Sequence, residues 1–151
     1  MTISPSILLD TSIVLHYSRR SAVFDAIEAR YQLTQSRFQP LVCVVTLGEI
    51  RALAYYRAWG DARLKSLDAF LSSLVCIDIN DPRVIEAYAR LSAHASLKGW
   101  ALHSQKNDLW IAATAQVCGA RLLTTDKDFA DARSAFIDCE IYDNLSGATL
   151  P

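Results

Sequence analysis

Four acids in this chain, Asp10, Glu49, Asp108 and Asp126, fall where a carboxylate would stand at the end of a strand or in the opening turn of a helix. In parallel α/β sheets that edge is where ligands bind. Four carboxylates in one crevice repel each other, since unit charges about 4 Å apart interact by about 4 kcal/mol at an effective dielectric near 20. Either some stay protonated, with raised and coupled pKa values, or together they hold a hard divalent cation. Oxygen-only donors suit Mg²⁺ or Mn²⁺ and do not suit zinc. Water made acidic by such an ion is a nucleophile for a phosphodiester.

Each acid also has a plainer explanation. Glu49 lies three residues after Thr46, the spacing of a capping box. Asp108 could serve the dipole of its helix, and Asp10 and Asp126 could cap the elements that follow them. Their joint placement favours the shared site.

The elements that must position them follow from apolar patterning. Ile7-Leu8-Leu9 is a buried first strand ending at Asp10, with Thr11 and Ser12 opening a helix. Ser21 to Gln32 has helical spacing. Leu41 to Val45 is an unbroken, largely β-branched run and the second strand, and Thr46 opens a helix through Trp59. Gly60-Asp61 separates that helix from one over 62–73. Val75 to Ile79 is the third strand, Asp81-Pro82 starts a helix running to Lys98, and 100–106 is a loop. An Ala-rich helix from Asn107 or Asp108 stops at Gly119. Arg121 to Thr125 is the fourth strand and Cys139 to Tyr142 an edge strand. Because the last helix and the fourth strand run in opposite directions, Asp108 and Asp126 can meet. Strands alternating with helices imply a parallel sheet with helices on both faces.

The 151 residues fit one domain, 1–151, and a chain of this size buries about 68 to 70% of its unfolded surface. At 52% hydrophobic and 21% charged, it is too apolar for a disordered chain. A net charge of −1 gives no mean attraction for polyanions. No segment has the order of a signal peptide or the roughly 20 apolar residues of a membrane helix, so the expected location is cytoplasmic. Cys43, Cys76, Cys118 and Cys139 lie scattered in apolar runs and are read as small buried hydrophobes. His16, His94 and His103 lack ligand spacing and are read as ordinary surface or interface residues. Tyr55, Tyr56 and Trp59 read as packing or a dimer face.

LLDTS at 8–12, the strand and T-x-x-E over 41–49, NDLWIAATA at 107–115 and LLTTDKDF at 122–129 together resemble the PIN domain, most closely the VapC-type ribonucleases of toxin–antitoxin pairs. The likeness spans nearly the whole chain. It implies a three-layer α/β sandwich and a Mg²⁺- or Mn²⁺-dependent endoribonuclease leaving 5′-phosphate and 3′-hydroxyl ends. It also implies a homodimer and a cognate antitoxin that covers the crevice. Carried over by position, the acidic metal set is Asp10, Glu49, Asp108 and Asp126, with Glu49 acting directly or through water and Asp128 as a further acid. Thr11, Ser12 and Thr124 fall where the family places small polar residues beside the metal. The stretch 100–106 departs from close relatives, which bears on the substrate entrance. Candidate phosphate contacts are Arg19, Arg20, Lys98, Lys106 and Lys127.

Three other classes compete with this reading. A catalytically silent module of the same fold would act through protein or RNA binding. A phosphotransfer receiver needs an acidic pair after the first strand and a Lys at the last strand's end, and neither is present. A nucleotide enzyme needs a glycine-rich phosphate loop that the five glycines do not form.

Overall fold

The three central strands are built almost entirely from Leu, Ile, Val and Cys, the composition of strands covered on both faces. The computed structural model describes residues 5–35 and 37–151. In chain order the elements are β1 (Ile7–Leu9), α1 (Thr11–Arg19), α2 (Ala22–Tyr31), β2 (Leu41–Cys43), α3 (Val44–Tyr56), α4 (Asp61–Ser72), β3 (Val75–Ile77), α5 (Pro82–Lys98), α6 (Lys106–Cys118), β4 (Arg121–Thr124) and β5 (Asp138–Ile141). Short 3₁₀ turns occupy Ala101–Ser104 and Lys127–Phe129. The strands form one sheet in the order β3-β2-β1-β4-β5, every pairing parallel. This is the α/β sandwich expected.

Alternation along each strand divides the core between two layers. Leu9, Val42 and Leu123 face Ile13, Val23, Ile27, Ile50 and Leu67 of α1 to α4. Their neighbours Leu8, Cys43 and Leu122 face Leu91 of α5 and Leu109, Ile111 and Ala112 of α6. The register sets Leu9 beside both Val42 and Leu123. Asp10 therefore leaves the sheet at the level where β4 ends.

Several elements differ from the sequence reading. β2 stops at Cys43, and Val44 and Val45 belong to α3. β-branched residues cost a few tenths of a kcal/mol each in a helix. Burying Thr46 and Ile50, both 0% exposed, outweighs that cost. The capping box therefore does not form: the N-cap is Cys43, with no side-chain cap bond. α3 ends at Tyr56 rather than Trp59, because Ala58 takes φ 49° and Trp59 N–H turns back to Ala54 O. β3 ends at Ile77 and exposes Val75 and Cys76. Within 100–106 lies the first 3₁₀ turn.

Side-chain expectations were corrected as well. His16 is buried, with Nδ1 2.7 Å from Ser21 Oγ and Nε2 2.7 Å from Asn144 Oδ1. Of the cysteines, Cys43 and Cys139 are buried, whereas Cys76 is exposed and Cys118 half-buried. Trp59 packs in the core under the Arg63 guanidinium, while Tyr55 and Tyr56 stand in solvent.

After β5 the chain folds back over its own edge. Tyr142 bridges Thr149 antiparallel, and Leu150 N–H donates to Ile141 O at 2.7 Å. Asp143 accepts from Leu145 N–H, Ser146 N–H and the Ser146 hydroxyl, which closes the turn around Gly147. Before β5, Arg133 bridges Ile137, and Ser134 N–H donates to Ile137 O. No helix among the described residues is long and apolar enough to cross a membrane.

Candidate functional site

Asp10 is the N-cap residue of α1, yet its side chain makes no cap bond. Its Oδ2 accepts instead from Ser12 Oγ at 2.9 Å and from Thr124 Oγ1 at 2.7 Å. Both hydroxyls are themselves anchored across the sheet. Thr125 N–H donates to Ser12 Oγ, and Asp126 N–H donates to Thr124 Oγ1. The end of β4 is thus tied to the end of β1 through one carboxylate oxygen, and the Thr11 backbone N–H also donates to the Asp10 carboxylate. Burial is the leading cause that raises the Asp10 pKa, and the Ser12 and Thr124 hydrogen bonds oppose it.

Glu49 lies in the second turn of α3, one turn past Thr46. Thr11 Oγ1 donates to its Oε1 at 2.6 Å and also stands 3.1 Å from Thr46 Oγ1. Asn107 Nδ2 donates to its Oε2 at 3.2 Å. Both carboxylate oxygens therefore have a side-chain donor, and neither bonds a helix cap.

Asp108 sits in the first turn of α6, and Asp126 caps the 3₁₀ turn after β4 by accepting from Asp128 N–H at 2.9 Å. These positions agree with the plainer explanations offered for both acids, but a cap occupies only one of the two oxygens of Asp126. Asp10, Glu49, Asp108 and Asp126 line a single cleft of about 480 Å³, together with Thr11, Ser12, Leu15, Ser104, Gln105, Lys106 and Asn107.

Burial and the neighbouring carboxylates work against the charged form of Asp108. Asp108 is pushed up from 3.8 to about 8, first by burial and then by the charges of Asp10, Asp126, Glu49 and Asp128. Unfolded, the group releases its proton near 3.8; folded, it does so near 8. Between those values the folded chain holds a proton that the unfolded chain has lost, so stability falls as pH rises and levels off above about 8. In chelator-treated buffer Asp108→Asn therefore melts above wild type, by a margin that widens from pH 5 to 8. After allowance for water screening of a partly exposed group, that margin is on the order of 1 to 2 kcal/mol, or a few degrees in Tm. Parallel melting curves for the two proteins across that range would show that Asp108 is unstrained.

The remaining sequence candidates separate into those in the cleft and those outside it. Thr11, Ser12 and Thr124 are engaged with the acids. Lys106 lines the cleft and donates to His103 O at 2.9 Å. Asp128 does not line the cleft and bears on Asp108 through its field. Arg19 and Arg20 end α1, about 13 Å of helix rise away from Asp10, with Arg20 over the Phe24 ring. Lys98 ends α5, and Lys127 is exposed beside Asp126; neither lines the cleft. Asn107 and Thr46 were missed as site residues. The one available signal was the adjacency of Asn107 to Asp108. Among the described residues, no group of three or more His, Cys, Asp or Glu side chains is arranged as it stands to hold a metal ion.

The sequence matches the PIN domain family over residues 7–134. The chain belongs to that family. A search of curated proteins found no match. Among solved structures, this PIN domain is similar to VapBC2 from Rickettsia felis bound to a promoter DNA fragment, at 22% identity over 91% of this chain and 98% of the other, with a TM-score of 0.75. It is similar at 23% identity and a TM-score of 0.68 to DNA-bound VapBC from Salmonella typhimurium, with the same coverage of 91% and 98%. Against VapBC-5 of Mycobacterium tuberculosis the identity is 26% and the TM-score 0.62, again over 91% and 98%. The PIN domain described here is VapC-like in fold over nearly its whole length.

Proposed function

We propose that this PIN domain is a Mg²⁺- or Mn²⁺-dependent endoribonuclease and the toxin of a toxin–antitoxin pair. The observation that carries the reading is the gathering of Asp10, Glu49, Asp108 and Asp126 on one cleft at the carboxyl edge of a parallel sheet, with Asp108 raised to about 8 by burial and its acidic neighbours. An all-oxygen donor set at high negative charge density fits a hard divalent ion. Asp10, Asp108 and Asp126 would hold it, and its charge would offset the mutual repulsion of the four carboxylates. When bound, the ion would neutralise the cleft for a phosphodiester and acidify a water for attack.

The chain's own groups have separate tasks in this reading. Ser12 and Thr124 fix Asp10 by one oxygen. Glu49, held by Thr11, takes the proton released by the attacking water. Lys106 at the rim meets the phosphate backbone, which the net charge of −1 would not attract. By likeness to the VapBC complexes, we assign a cognate antitoxin as partner, a basic side chain of which would lie against the acids. A homodimer is the expected unit and the cytoplasm the expected location, with 1–151 as one domain.

A catalytically silent PIN-like module is the second reading, to which the lack of a ready-made cluster of three ligands among the described residues corresponds. One experiment separates the two. Incubated with an end-labelled single-stranded RNA, the purified chain should cut internally, lose that activity in EDTA and regain it on addition of Mn²⁺ or Mg²⁺. Cleavage that persists through chelation would exclude the metal-dependent mechanism. No cleavage, together with no Mn²⁺ binding by calorimetry, would establish the silent module. Co-expression with a flanking small open reading frame checks the partner: no complex and no relief of growth arrest would remove the antitoxin assignment.

A further inference from the structure

Three further features could carry chemistry, two of them outside the acid set. An apolar recess lined by Leu9, Tyr17, Leu33, Pro40, Phe70 and Leu74 has nothing to identify its occupant. The groove at Arg30, Arg121 and Arg133 has the first two arginines paired to Glu140 and Asp138. The third is the hydrogen bonding around Glu49, and it supports a specific role for a residue not assigned so far.

Among the described residues' hydrogen bonds, Glu49 alone of the four acids has a side-chain donor on each carboxylate oxygen: Thr11 on Oε1 and Asn107 on Oε2. The two donors reach it from opposite walls of the cleft, one in the first turn of α1 and the other at the start of α6. A carboxylate bonded at both oxygens is held in one orientation, and each oxygen keeps a lone pair with which to accept a proton. Asn107 is also the residue immediately before Asp108, so one helical turn carries an acid and the neutral donor that aims a second acid. A neutral amide can do this where Lys or Arg could not, because a fixed cation would cancel charge needed in the cleft.

We propose that Asn107 is a positioning residue, which together with Thr11 holds Glu49 in orientation as a proton acceptor. The role rests on the nuclease reading above. Asn107 itself neither touches the reacting atoms nor ligates the ion.

The test uses the full chain, a fluorogenic single-stranded RNA and Mn²⁺ as probe. Asn107→Ala is expected to lower kcat about tenfold, as loss of a hydrogen bond to a charged group would, with KM within twofold. In the Glu49→Gln background, assayed at higher enzyme concentration, the same change should have less than a twofold effect, because the group being aimed is already gone. Asn107→Gln keeps the amide donor and should recover most of the lost kcat. By calorimetry, Asn107→Ala should bind Mn²⁺ at least as tightly as wild type, since freeing Oε2 removes no ligand. An unchanged kcat, or an equal loss in both backgrounds, overturns the role alone, as does Mn²⁺ binding weakened fivefold or more, which would make Asn107 a ligand. A wild-type chain that cleaves no RNA overturns the nuclease reading, and this role falls with it.

Discussion

Asp10→Asn is expected to reduce metal-dependent RNA cleavage by three orders of magnitude or more while leaving the fold intact. The substitution keeps the shape of the side chain but removes the negative charge that Ser12 and Thr124 hold at the edge of the cleft. An amide oxygen is a poorer donor to a hard cation than a carboxylate. Stability should hold or rise, because burial already works against the charged form of Asp10. The pair of measurements is therefore diagnostic: cleavage rate falls while Tm does not. Asp108→Asn should lose activity to a similar degree, since its carboxylate lies in the same cleft. If both variants cleave RNA in a metal-dependent way at wild-type rates, the assignment of these acids is wrong.

The largest expected effect on stability lies far from the cleft. Gly147 has φ +76°, and a Cβ placed there would sit 2.5 Å from Ala22 O and 2.9 Å from Ala22 C. Both are backbone atoms at the start of α2, so no side-chain rotation relieves the clash. The left-handed conformation alone costs an L-residue about 1 to 2 kcal/mol. With displacement of the turn added, Gly147→Val should cost about 3 to 5 kcal/mol and lower Tm by roughly 10 °C, read by thermal and denaturant unfolding. Gly48 provides a control of opposite sign. It lies in α3, where a Cβ meets nothing within 4 Å, so Gly48→Ala should stabilise by about 0.5 to 1 kcal/mol. A Tm for Gly147→Val within a degree or two of wild type would mean that the turn is not seated on α2 as described.

Much of this arrangement could be read from the chain because its signals are local. Ile7 to Leu9 and Leu122 to Thr124 are apolar runs with an acid shortly beyond, and Asp81-Pro82 and Gly119 punctuate helices in the usual way. The placement of the acids at strand ends and in early helical turns was legible because those signals fix where strands end and helices start. What escaped depends on partners distant in sequence. Val44 and Val45 have strand-forming side chains, but they enter a helix because burial of Thr46 and Ile50 decides their backbone. Glu49 follows Thr46 at cap spacing, but its true partners Thr11 and Asn107 are 38 and 58 residues away. His16 carries no marker of burial, since the Asn144 that satisfies it is 128 positions further on.

The fold-back after β5 has a consequence for behaviour at high concentration. Unpaired strand borders are templates on which neighbouring molecules stack into fibrils or amorphous precipitate. Here the border of β5 is occupied near one end by the Arg133–Ile137 bridge and near the other by Thr149 and Leu150. The opposite border, β3, is only three residues long, too short to template an extended intermolecular ladder. Self-association through sheet growth is thus disfavoured at both margins, and a lesion that loosens the returning segment would remove that protection at one of them.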